Sequence, residues 1–165
     1  MQMTVKQSKG NFFDRAGVLS NVDRQTRKNL SKFGAFLRAA IRTRLKYGDD
    51  SSEPGASPVI HKTMSRPGKV SAKTGKAGKP QSVSPLRELV FFAYDESRKS
   101  VVVGPARLQG KPGNAPAALE YGGPSVIKNG DGTRTVTIRP RPYLAPSFEQ
   151  VKKELPAIWA SSVKR

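Results

Sequence analysis

The stretch VDRQTRKNLSKFGAFLRAAIRTRLK, Val22 to Lys46, decides how the chain is read. Apolar residues recur at Val22, Leu30, Phe33, Leu37, Ile41 and Leu45, with Thr26 filling the missing step, which is the three-and-four spacing of one helical face. Ser20 or Asn21 is placed to cap the start, Asp23 suits the positive end of the helix dipole, and Gly48 after Tyr47 is a natural stop. A long helix is therefore expected over 22–47. At about 100° per residue, Arg24, Arg27, Lys28, Arg38, Arg42 and Lys46 fall opposite the apolar stripe, and Arg44 lands on the apolar side. The basic face is either solvated or meets DNA or an acidic partner.

Working outward, residues 1–13 read as an N-terminal arm. Residues 49–85 hold nine of the chain's Gly and Pro residues, with few apolar side chains and basic ones at Lys62, Arg66, Lys69, Lys73, Lys76 and Lys79, so an extended arm is expected there. LRELVFFAY (Leu86–Tyr94) and VVVGP (Val101–Pro105) flank the polar DESRKS and read as two strands of a hairpin. AALEYGG (Ala117–Gly123) reads as a strand end. SVIK and TRTVTIR flank NGDG (Asn129–Gly132), whose Asn-Gly and Asp-Gly steps supply the positive φ of a tight hairpin. Pro146 is placed to open a C-terminal helix over 146–164 carrying Phe148, Val151, Leu155, Ile158 and Trp159, with Pro156 kinking or restarting it. The order points to an α+β fold, a long N-terminal helix and a C-terminal helix packed on an antiparallel sheet spanning 86–140, with the basic arm between.

Composition sets the limits. At 165 residues, one core and one domain are expected. Leu, Ile, Val and Phe number 36, about 22% of the chain, just above the level at which a charged chain fails to bury a core. Thirty Lys and Arg against 12 Asp and Glu give +18, which calls for a polyanionic or acidic neighbour. The excess sits at the ends: residues 1–48 carry 11 basic and 2 acidic side chains, and 133–165 carry 7 and 2. No stretch approaches the roughly 18 apolar residues of a membrane span, and no apolar signal region opens the chain, so no membrane association is expected.

Familiar catalytic chemistry finds few carriers. Zero Cys removes disulfides, thiolate nucleophiles and Cys-based zinc sites, and His61 is the one histidine, without a recognisable triad partner. The Gly-Lys pairs at Gly68, Gly75, Gly78 and Gly110 lack the following Ser or Thr of a phosphate loop. Asp49 with Asp50 and Asp95 with Glu96 read as solvated turn acids. The arm from Lys62 to Lys79 contains no aromatic residue, so the stacking half of a single-strand binder is missing and nonspecific electrostatics remains.

Several strings then occur in a telling order: FFDR (Phe12–Arg15), KFGAFLR (Lys32–Arg38), EPGASP (Glu53–Pro58), FFAYDE (Phe91–Glu96), VVVGP (Val101–Pro105), ALEYGG (Ala118–Gly123) and RPRPYLAPSFE (Arg139–Glu149). The set resembles the tail-completion or head-tail joining proteins of long-tailed bacteriophages, minor tail or neck components. The resemblance runs from about Phe12 to Lys164 and lapses between Lys62 and Pro85. It implies a structural virion protein at the neck, made in the host cytoplasm, that completes or terminates the tail tube and joins it to the head. It implies a homo-oligomeric, hexameric ring contacting head-closure or connector and tail-tube proteins, with transient contact to phage DNA as a further partner, and neither reaction nor cofactor. Glu120, Tyr121, Gly122, Gly123, Arg139, Arg141 and Tyr143 are the candidate subunit interface or structural corner, where Glu120 is placed to pair with one of the arginines. Lys62, Arg66, Lys69, Lys73, Lys76 and Lys79 form a candidate partner-binding arm, expected to dock on neighbouring proteins. The alternative is a basic nucleic-acid-binding module acting without a ring.

Overall fold

The computed structural model describes residues 15–73, 75–106, 115–129 and 132–160. The expected N-terminal arm, most of FFDR and the last residues of the C-terminal helix lie outside them. The long helix is present, as α1 (Arg15–Arg44). It begins seven residues before Val22, because Ser20 and Asn21 inside an established helix cost only a few tenths of a kcal/mol each, less than a new start would. It ends three residues before Tyr47, because Lys46–Tyr47 (β1) turns away to pair in parallel with Val59–Ile60 (β2). Phe33, Leu37, Ile41 and the following Leu45 are buried as the periodicity requires, and Leu30 is half-buried. Val22 is not part of the buried stripe: Val18, Leu19 and Val22 stand in solvent on the N-terminal third, which extends beyond the core.

The stripe rests on the hairpin of β5 (Val90–Asp95) and β6 (Ser100–Pro105). Before it come β3 (Met64–Arg66), β4 (Gln81–Val83) and the short α2 (Pro85–Glu88). Alternation aims Val90, Phe92, Tyr94, Val101 and Val103 at α1, and leaves Phe91 and Val102 outward. Gly34 is where helix and hairpin come closest. A Cβ there would lie 2.7 Å from Val101 Cγ2 and 2.8 Å from Phe92 Cδ2. The hairpin turn is fixed by Asp95, whose carboxylate accepts the Ser97 hydroxyl at 2.7 Å and the amides of Ser97 and Arg98 at 3.0 and 3.1 Å. Those bonds, led by the Ser97 hydroxyl, hold its carboxyl below the usual carboxylate range.

Further along stand α3 (Ala115–Tyr121), the hairpin of β7 (Gly123–Asn129) and β8 (Gly132–Ile138), α4 (Leu144–Lys152) and α5 (Leu155–Ala160). The C-terminal helices close the core against α1 with Val151 and Ile158. Pro156 does restart the helix, as the second residue of α5.

Three expectations need correction, and a fourth gains detail. The strands do not merge into one antiparallel sheet; they form four two-stranded sheets, one of them parallel. Within each hairpin the two strands pair along their whole length, and pairing between hairpins is not specified locally. Within the 49–85 segment, expected as an extended arm, β3 and β4 pair antiparallel. AALEYGG is not a strand end. Ala-Pro-Ala-Ala-Leu-Glu is a good helix-forming run once Pro116 sits in its first turn, and Gly122 at φ +74° ends that helix. Leu86–Glu88 is α2 rather than strand, because Ser84-Pro85 opens a helical turn.

Candidate functional site

The corner residues assemble around Glu120. Its carboxylate is buried and accepts the backbone N–H groups of Tyr143 at 2.8 Å, Leu144 at 2.9 Å and Ala145 at 2.8 Å. These are donors that a helix N-terminus leaves without intrahelical partners, and the next residue, Pro146, has none. Tyr143, the N-cap of α4, makes no side-chain cap of its own, so a residue 23 positions earlier supplies it. The negative charge also meets the positive end of the helix dipole. Among the described residues of the one chain, Glu120 thus pairs with neither Arg139 nor Arg141.

The extended RPRP segment is fixed on two sides. The Arg141 amide donates to Leu119 O at 2.6 Å, and Arg141 Nε donates to Ser52 O at 2.8 Å. Gly55 N donates to Pro140 O at 2.9 Å. Gly122 lies so close beneath Pro140 that a Cβ would stand 3.0 Å from its Cδ and from Ile138 O. Tyr143 is fully buried, and its hydroxyl has no hydrogen-bond partner among the described residues. Burial, then the neighbouring Glu120 charge, push that hydroxyl up to about 12. Tyr121 and Arg139 are the exposed members of the set, with Tyr121 81% accessible.

The basic arm is a ribbon. Met64, Ser65 and Arg66 pair with Val83, Ser82 and Gln81, and the bridge between Val70 and Ala77 keeps the same register further out. Gly78 N donates to Lys69 O at 3.0 Å and Ser71 N to Lys76 O at 2.9 Å. Two glycines allow the strands to approach: a Cβ on Gly68 would lie 2.0 Å from Gly78 O. The root is fastened through Glu88, which accepts Arg42 at 2.7 Å and Arg66 at 2.8 Å. Lys62 and Arg87 both lie over the Tyr47 ring, at 5.4 and 5.0 Å from its centroid. An open hollow of about 630 Å³ sits at this root, lined by Arg42, Tyr47, Lys62, Arg87 and Glu88 among others. Arg66 is therefore committed within the chain. Lys69, Lys73, Lys76 and Lys79 are exposed, and among the described residues none of the four is in an ion pair.

Parts of the α1 basic face are likewise committed. Arg38 Nε donates to Val90 O at 2.8 Å, Arg42 holds Glu88, and Arg44, on the apolar side, reaches Ser147 Oγ and Gln150 Oε1 of α4 at 3.2 and 3.3 Å. Glu88 carried a readable signal, as the lone carboxylate between Glu53 and Asp95 amid cations. Among the described residues no group of three or more His, Cys, Asp or Glu is placed to hold a metal ion, and no helix is long and apolar enough to cross a membrane. Comparison with known protein families, with curated proteins and with solved structures finds no match to this chain.

Proposed function

We propose that the chain is a structural protein of a bacteriophage neck, forming a homo-oligomeric ring, hexameric by resemblance, that completes or terminates the tail tube and joins it to the head. Its partners are head-closure or connector proteins on one side and tail-tube proteins on the other, its place is the virion, and it carries out no reaction. The observation that supports this most is the coupling of the two most telling strings. ALEYGG and RPRPYLAPSFE, separated by the β7–β8 hairpin, are one physical unit in which Glu120 of the first caps the helix opened by the second. Their joint presence is then the signature of a built corner rather than two coincidences.

Two further features fit a subunit of an assembly. Two-stranded hairpins are marginal alone in water and leave edges open for another chain. Apolar side chains stand outward at Val18, Leu19 and Val22 of α1, at Phe91 and Val102 of the β5–β6 hairpin, and at Tyr121 beside the corner. Head-to-tail contacts that use two different surfaces close into rings when the rotation allows. Negative-stain microscopy and mass photometry of the purified protein test the reading. Closed rings of a single chain are expected; a monomer across the micromolar range that instead binds DNA in a salt-sensitive way would replace it with the nucleic-acid module.

A further inference from the structure

Between Glu53 and Glu88 the chain contains no acidic residue, while it contains Lys62, Arg66, Lys69, Lys73, Lys76, Lys79 and Arg87. The structure folds the middle of this segment into one narrow antiparallel ribbon. The register set by Met64 opposite Val83 is kept at Val70 opposite Ala77, six residues further along each strand. At about 3.3 Å per residue, that is roughly 20 Å of ribbon before the turn. The distal residues between Ser71 and Lys79 are small or basic, with Ala72, Gly75, Ala77 and Gly78 among them, and all whose side chains are described are exposed.

Side chains alternate between the faces of such a ribbon. In this register Lys69 and Lys76 stand on one face, Lys79 stands on the other together with Arg66, which Glu88 holds, and Lys73 lies near the turn. Cations on both faces do not suit a flat acidic protein surface, which one face would satisfy. They suit a cleft whose two walls are both anionic. The major groove of a nucleic-acid duplex is such a cleft, about 12 Å wide, lined by phosphates on each side and able to admit a two-stranded ribbon. Residue type favours the same partner. Protein interfaces are depleted in Lys and rely on aromatic and Arg anchors, whereas Lys serves phosphate as a point charge. The distal ribbon has Lys alone and no aromatic ring, which also excludes base stacking on a single strand.

We propose that the β3–β4 ribbon is a double-stranded DNA-binding arm, its distal part entering the major groove and Lys69, Lys73, Lys76 and Lys79 contacting the phosphates. The contacts read no sequence. Lys62 and Arg87 at the root extend the basic surface along the flanking backbone. Nonspecific phosphate contacts of this kind let a protein slide along DNA, so an adhesive arm is compatible with DNA that moves past it. The inference is independent of ring formation, since a ring subunit and a lone module would use the ribbon alike.

The test is fluorescence anisotropy of the full chain with a 24-base-pair mixed-sequence DNA duplex over a salt series. Binding is expected with an affinity that falls linearly in log–log form. The quadruple variant Lys69→Gln, Lys73→Gln, Lys76→Gln, Lys79→Gln should flatten that slope by about 3 to 4 and weaken binding more than about a hundredfold at 0.1 M salt. The same four positions changed to Arg should retain binding, and Arg24→Gln with Lys28→Gln on α1 should retain most of it. An unchanged slope in the Gln variant with an unchanged thermal melt overturns the proposal. So does an equal loss in the α1 variant, tighter binding to a single strand of the same length, or displacement of the duplex by polyglutamate at equal charge concentration, which would mark an acidic protein as the partner.

Discussion

Replacing Glu120 by Ala removes the acceptor of three backbone donors at once. The Tyr143 N–H is in the buried interior, and those of Leu144 and Ala145 are partly buried, so water does not freely replace the carboxylate. Leaving a buried donor without a partner costs about 1–3 kcal/mol, and the loss of a negative charge at the helix N-terminus adds up to about 1–2 kcal/mol. The terms overlap, because one carboxylate supplies all of them, and a total of about 3–5 kcal/mol is expected for Glu120→Ala. With a urea dependence of about 2 kcal/mol per molar, the unfolding midpoint should fall by roughly 1.5 to 2.5 M. Glu120→Gln keeps one carbonyl oxygen and loses the charge, so about 1–2 kcal/mol is expected. The sole tryptophan, Trp159, lies on α5, next along the chain from the capped helix, and its fluorescence reports the affected region directly. A Glu120→Ala midpoint within about 0.3 M of wild type would refute the capping role.

Two further outcomes concern the core. Leu37→Ala empties a buried site in the core cluster around α1 and should destabilise by about 2–5 kcal/mol in the same urea assay. The Tyr143 hydroxyl, raised from 10.0 to about 12 by burial and then by Glu120, should make the fold pH-dependent at the alkaline end. Its folded value exceeds its unfolded one, so the associated stability is complete below pH 10 and is lost between about 10 and 12, to an extent of about 2–3 kcal/mol. Tyr143→Phe removes a hydroxyl that has no partner among the described residues, so it should be neutral or slightly stabilising at pH 7 and should abolish that alkaline loss relative to wild type; equal alkaline loss in both proteins would contradict the assignment.

What could be read in the sequence follows the range of each signal. The α1 stripe was legible because a helix declares itself every three or four residues, and Phe33, Leu37, Ile41 and Leu45 all do so. The β5–β6 and β7–β8 hairpins were legible because their turn residues and alternation are local. The Glu120 cap was not, since its partners lie 23 to 25 residues on; the sign of it was negative, a helix opening at Tyr143 with no capping side chain of its own. ALEYGG misled because two glycines end a helix as readily as a strand, and φ +74° at Gly122 settles the matter only in three dimensions. The β3–β4 ribbon escaped notice because Gly68, Gly78 and the flanking prolines dilute β-propensity, and its pairing rests on backbone approach rather than on side chains.

Ring formation in the neck is tested most directly by electron microscopy of the assembled phage particle that carries this chain. The reading requires copies of the chain in a closed ring at the junction of head and tail. The chain present there as an isolated subunit, or absent from the particle, would contradict it.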